Sequence, residues 1–140
     1  MPSDPKLDRL RQCLLFSGLG GREIERVGQL TEEVDLPADR ILMRQGDVGR
    51  EMFVVAEGRV RVERDGRTID ESGPGEVLGE MALLSEGPRT ATVTTMEPSR
   101  LYVLGQHEFH VLMDEMPSVR DAVLKVLADR LRSLDADAAH

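Results

Sequence analysis

The stretch LGEMALLSEGPRTATV, residues 78–93, sets Glu80 and Arg89 at the two ends of a short apolar turn. Gly79 and Glu80 open what reads as a one- or two-turn helix, EMALL. The first amides of a helix lack internal partners and carry the positive end of its dipole, so a helix start attracts anions. Gly79, Met81 and Ala82 offer such amides with little side-chain obstruction. Arg89 adds a planar, permanently charged fork that takes two phosphate oxygens at once, a geometry lysine lacks. A carboxylate at one end and a guanidinium at the other suit a small phosphorylated sugar. Each piece also has a plainer reading, as a solvated surface charge or a capped helix, and the residues alone leave both open.

Outward from this stretch the chain divides into helices, strands and helices. Residues 7–15 and 21–33 carry apolar positions at helical spacing (Leu7, Leu10, Leu14, then Ile24, Val27, Leu30), broken between Gly18 and Gly21. From Val34 to Leu104 short runs rich in Val and Ile alternate with glycines and prolines, Pro37 and Pro88 among them. RVRVERDGRTI, residues 59–69, alternates around Asp65-Gly66 and predicts a hairpin. Short antiparallel strands at this spacing point to a jelly roll or barrel. Helical pattern returns over Gln106 to Met113 and Pro117 to Leu134, with Pro117 opening the last helix. Aromatics are few, so Val, Leu, Ile and Met must fill the interior, with Phe53 and Phe109 as core residues. Tyr102 is expected to point opposite Leu101 and Val103 along its strand, for cross-strand packing.

Residues 78–93 resemble the phosphate-binding cassette of cyclic nucleotide-binding domains. That pattern is a Gly-Glu, two or three small or apolar residues, and a Pro-Arg-x-Ala return; Gly79, Glu80, Met81, Ala82, Leu83, Pro88, Arg89 and Ala91 match it. The resemblance extends upstream through LMRQGDVGREMFVVAEGRVRV, residues 42–62, with Gly46, Asp47 and Gly58 in their expected places, and downstream through LYVLGQHEFHVLMDEMP. It implies that Glu80 accepts a hydrogen bond from the ribose 2′-hydroxyl, with Gly79 at the same sugar edge. Met81 and Ala82 would give amides to the cyclic phosphate, Arg89 would pair with its oxygens, and Thr90 would sit beside phosphate and base. A Thr there permits cyclic GMP without demanding it, since Thr in a TATV run also suits a strand. In the family the last helix is a lid over the base, which makes Leu127, Arg130 and Leu131 the candidate base contacts. The implied fold is α+β: an antiparallel jelly-roll barrel flanked by N-terminal helices and C-terminal hinge and lid helices. The expected layout is an N-terminal helical segment over 1–33, a β-roll over 34–104 holding the cassette at 78–92, and hinge and lid helices over 106–134.

Composition bounds the rest. The 140 residues suffice for one domain with a sizeable core. With 26 acidic against 18 basic residues and a formal charge of -8, the surface repels nucleic acids and anionic membranes at long range. An anionic ligand must then be held locally, by Arg89 and the turn amides. Cys13 lacks a disulfide partner and reads as a small buried hydrophobe. Neither a signal peptide nor a bilayer-length apolar run occurs, so the expectation is a cytoplasmic protein with no membrane span.

Rival functions fare worse. A cupin-type enzyme needs clustered His ligands on strands, whereas His107, His110 and His140 lie outside the strand region. Ser85 lacks a nucleophile's setting. A transcription factor would need a helix-turn-helix after the last helix, where the chain instead reads SLDADAAH. The expectation is therefore a regulatory sensor, not an enzyme, without metal or cofactor. It binds cyclic AMP first and cyclic GMP second, with a protein effector or self-association as output. The alternative is an interaction scaffold of the same fold without ligand.

Overall fold

A computed structural model describes residues 4–83 and 87–138, the side chains of Leu14, Arg130, Leu131 and 133–138 excepted. Helix α1 (Pro5–Gln12) starts where the Asp4 carboxylate caps the Lys6 amide at 2.9 Å and Pro5 supplies a preset first turn. A 3-10 turn (Leu14–Phe16) leads to α2 (Gly21–Leu30), where the Glu23 carboxylate reaches back to the Gly20 amide at 3.1 Å. Helix α2 stops short of the residue 33 expected from periodicity. Thr31 turns its hydroxyl onto the Gly28 carbonyl at 3.0 Å, and Glu32 already pairs with Val103 in a sheet.

Eight antiparallel strands form two four-stranded sheets. The first is ordered β1-β8-β3-β6, from β1 (Glu32–Leu36), β8 (Ser99–Gly105), β3 (Glu51–Glu57) and β6 (Val77–Leu78). The second is ordered β2-β7-β4-β5, from β2 (Ile41–Met43), β7 (Thr92–Thr95), β4 (Val60–Arg64) and β5 (Arg67–Ser72). The arrangement is the jelly roll expected, built as two facing four-stranded sheets that do not close into one barrel. No ladder joins the sheets among the described residues, and the chain changes sheet at turns such as Pro37–Asp39, with Asp39 at φ 65°.

Strands β3 and β8 are buried on both faces, and their alternation explains why. Met52, Val54, Ala56, Tyr102 and Leu104 pack under the helices with Leu10, Phe16, Ile24 and Phe109. Phe53, Val55, Leu101 and Val103 face the second sheet and meet Val60 and Val93. The first sheet is thus the middle of three layers. Tyr102 does point opposite its neighbours, toward the helices, where Lys6 Nζ lies 5.8 Å from its ring centroid. Cys13 is fully buried in the same cluster.

The Asp65-Gly66 hairpin forms as the alternation predicts: both residues take positive φ, 54° and 78°, the hand that matches strand twist. Gly58, at φ 97°, lies against Ser99, whose backbone Cα would sit 2.8 Å from an added Cβ. Gly58→Ala is therefore expected to cost roughly 2 kcal/mol or more, through φ strain and a backbone clash. A lowered urea midpoint at unchanged slope is the check.

Helix α3 (Gln106–Glu115) follows β8 directly, and α4 (Pro117–Ala138) follows after Met116. Val119, Val123 and Leu127, four residues apart, put one face of α4 into the helical cluster. Two contacts flank the α3–α4 junction: Arg26 donates twice to the Glu115 carboxylate, each at 2.7 Å, and the Ser118 hydroxyl donates to Glu23 at 2.8 Å.

Candidate functional site

The cassette starts where β6 leaves the edge of the first sheet. Gly79, at φ 73°, turns the chain into a 3-10 turn over Glu80–Leu83, the shorter of the one- or two-turn starts expected and tighter than an α-helix. Leu83 anchors it by full burial, and Gln106 at the start of α3 donates to the Ala82 carbonyl at 3.1 Å. The Ala82 amide closes the turn onto the Gly79 carbonyl at 3.1 Å. A turn of four residues sums few peptide dipoles, so the burden of holding an anion shifts toward Arg89.

Arg89 is fixed through its backbone by the loop between β2 and β3. Its amide donates to the Asp47 carbonyl at 2.7 Å and its carbonyl accepts from the Gly46 amide at 2.9 Å. Its guanidinium donates to the Glu51 carbonyl at 2.8 Å and lies 6.0 Å from the Phe53 ring centroid. Gly49 and Gly79 both lie against the guanidinium, so a Cβ at either would collide with it. Burial pushes the Arg89 pKa below its ordinary value, with the Glu51 carboxylate pulling it back. Among the described residues Arg89 forms no ion pair. A partly desolvated cation without a paired carboxylate is what an incoming anion would complement.

Arg89, Glu80, Gly79, Met81, Ala82 and Thr90 all line one cavity of about 510 Å³. Glu80 is only 7% exposed, an uncommon degree of burial for a carboxylate. Met43, Val62 and Val93 of the second sheet form the apolar floor, and Arg64, Asp70, Ser72 and Glu76 also reach the cavity. Thr90 is exposed, and its carbonyl accepts from Arg64 Nε at 3.0 Å.

The lid candidates are placed differently. Leu127 is 1% exposed inside the cluster formed by Leu10, Cys13 and Phe16, and α4 contributes no lining residue among those described. Spacing four residues from Val123 puts it on the buried stripe of the helix. The side chains of Arg130 and Leu131, like Ser85 and His140, lie outside the described residues. His107 and His110 are exposed on α3, and no cluster of three metal-ligating side chains occurs among the described residues. Gly49, Asp47 and Glu51 escaped notice as site residues because they act through a missing side chain or through carbonyls, which residue type does not advertise.

The family model of the cyclic nucleotide-binding domain matches residues 33–116. The chain belongs to the cyclic nucleotide-binding domain family. This cyclic nucleotide-binding domain is 34% identical over 128 residues to the cyclic AMP receptor protein of Thermus thermophilus, covering 88% of the chain and 59% of that protein. It is similar to the N-terminal domain of a Streptomyces coelicolor transcriptional regulator, with a TM-score of 0.85 at 34% identity, over 93% of this chain and 94% of that one. The regulatory domain of Toxoplasma gondii PKA, solved with cAMP, aligns with a TM-score of 0.76 at 32% identity, over 89% of this chain and 49% of that one. The chain thus spans about three fifths of its Thermus relative. Among the described residues no helix is long and apolar enough to cross a membrane.

Proposed function

We propose that this domain senses a purine cyclic nucleotide and signals through the position of α4. Arg89 carries the reading: it is a half-buried guanidinium, partly stripped of water and in no ion pair among the described residues, on the wall of a cavity that also takes the buried Glu80. Cyclic AMP is the first ligand, supported by the Thermus and Toxoplasma relatives whose names carry it, and cyclic GMP the second, which Thr90 at the cavity permits.

In this reading Arg89 pairs with the cyclic phosphate and the Glu80 carboxylate accepts the ribose 2′-hydroxyl, with Gly79 at the same sugar edge. The Met81 and Ala82 amides face the phosphate, the latter sharing its hydrogen with the Gly79 carbonyl. Leu127, Arg130 and Leu131 meet the base only if α4 swings about Met116, which draws Leu127 out of the helical cluster. The nucleotide moves that equilibrium only by as much as it binds the swung form better. The output passes to a protein effector or to self-association.

Thermal melts with cyclic AMP, cyclic GMP and linear 5′-AMP test the reading. At one hundred times its Kd a ligand adds about 2.7 kcal/mol, a rise of several degrees in Tm. The two cyclic nucleotides are expected to exceed the linear one. A melt that none of them moves would overturn the sensor function and leave a ligand-free interaction scaffold.

A further inference from the structure

The cavity has a polar end that the phosphate and sugar assignments leave unused. Across the second sheet, Met43 stands opposite Val93, Val93 opposite Val62, and Val62 opposite Asp70. Residues directly opposite in a ladder share a face, and all four line the cavity. The row runs over three strand spacings, about 14 Å, as three apolar side chains followed by a carboxylate. Asp70 Oδ1 accepts from the Glu71 amide at 2.8 Å, and Asp70 enters no ion pair among the described residues. Arg64, which also lines the cavity, gives its Nε to the Thr90 carbonyl.

We propose that Asp70 is a specificity-determining residue that accepts a hydrogen bond from the exocyclic amino group of the nucleobase. The inference rests on the sensor reading above. An ionised carboxylate only accepts, so it favours an N–H edge and repels a carbonyl or a second phosphate. Arg89 attracts the single phosphate and Asp70 rejects one, so the two charges also orient the ligand along the apolar floor. Both adenine and guanine carry the amino group, at different ring positions, and hypoxanthine carries none.

The test compares Kd values for cyclic AMP, cyclic GMP and cyclic IMP on wild type and on Asp70→Asn, the latter nearly isosteric at an exposed site on β5. Wild type is expected to bind at least one amino purine about tenfold or more tightly than cyclic IMP, as a hydrogen bond to a charged group allows. In Asp70→Asn that ratio falls toward one, because an amide can also donate to the hypoxanthine carbonyl. The nucleotide holding the advantage identifies the edge Asp70 reads. A preference unchanged in Asp70→Asn, or absent in wild type, overturns the role of Asp70 while leaving cyclic nucleotide binding intact. Failure of wild type to bind any of the three sinks the sensor reading instead.

Discussion

Arg89→Leu is expected to abolish the nucleotide-induced rise in Tm while leaving the ligand-free melt nearly unmoved. In the free protein the guanidinium forms no ion pair among the described residues and is already partly desolvated, so its replacement costs little more than the bond to the Glu51 carbonyl, about 1 kcal/mol. Leucine also keeps apolar contact with Phe53, over whose ring the guanidinium lies. In the complex the same change strips a phosphate of its fixed cation inside a protein whose net charge of -8 repels it. Losing one partner of a hydrogen-bonded charge pair costs roughly 2–5 kcal/mol, a fall in affinity of about thirtyfold to several thousandfold. Titration calorimetry beside the melts separates the two effects. Equal stabilisation of wild type and variant by cyclic AMP would remove Arg89 from the phosphate site.

What was readable in the sequence follows from how strongly each position is constrained locally. The Asp65-Gly66 hairpin was legible because a two-residue loop with both φ values positive admits few residue types. The cassette was legible because Gly79, Glu80 and Arg89 fall together in one short stretch and each type suits its place: glycine for positive φ, a carboxylate that accepts without donating, and a forked cation. Phe53 and Phe109 are core residues, as their type suggested, and alternation set Tyr102 opposite Leu101 and Val103.

Where sequence reading departs from the structure, the deciding interactions are non-local. The end of α2 is set by Glu32 pairing with Val103, far along the chain, which helical periodicity does not register. Closure of a barrel depends on whether edge strands meet, and the strand pattern is the same whether they do or not. The grip on Arg89 comes from the carbonyls of Asp47 and Glu51 and from bare backbone at Gly49. Residue type alone does not set Asp70 apart from other carboxylates; β-pairing places it in line with Val62, Val93 and Met43.

Leu127→Ala is expected to destabilise the ligand-free domain by about 2–5 kcal/mol and yet to tighten nucleotide binding. The first effect is a cavity left in a packed cluster, since Leu127 is 1% exposed among Leu10, Phe16 and Phe109. The second follows from linkage. Affinity changes by the difference between what the substitution costs the bound form and what it costs the free form. If α4 swings, Leu127 exchanges a filled core site for partial contact with a base, so truncation costs the free form more and makes departure easier. A surplus of about 1.4 kcal/mol lowers Kd tenfold. If α4 stays in place, both forms lose the same packing and Kd does not change. Chemical denaturation without ligand gives the first quantity, and titration at a temperature where the variant remains folded gives the second. A destabilised Leu127→Ala protein with wild-type affinity would assign Leu127 to the core alone and end its part in the lid.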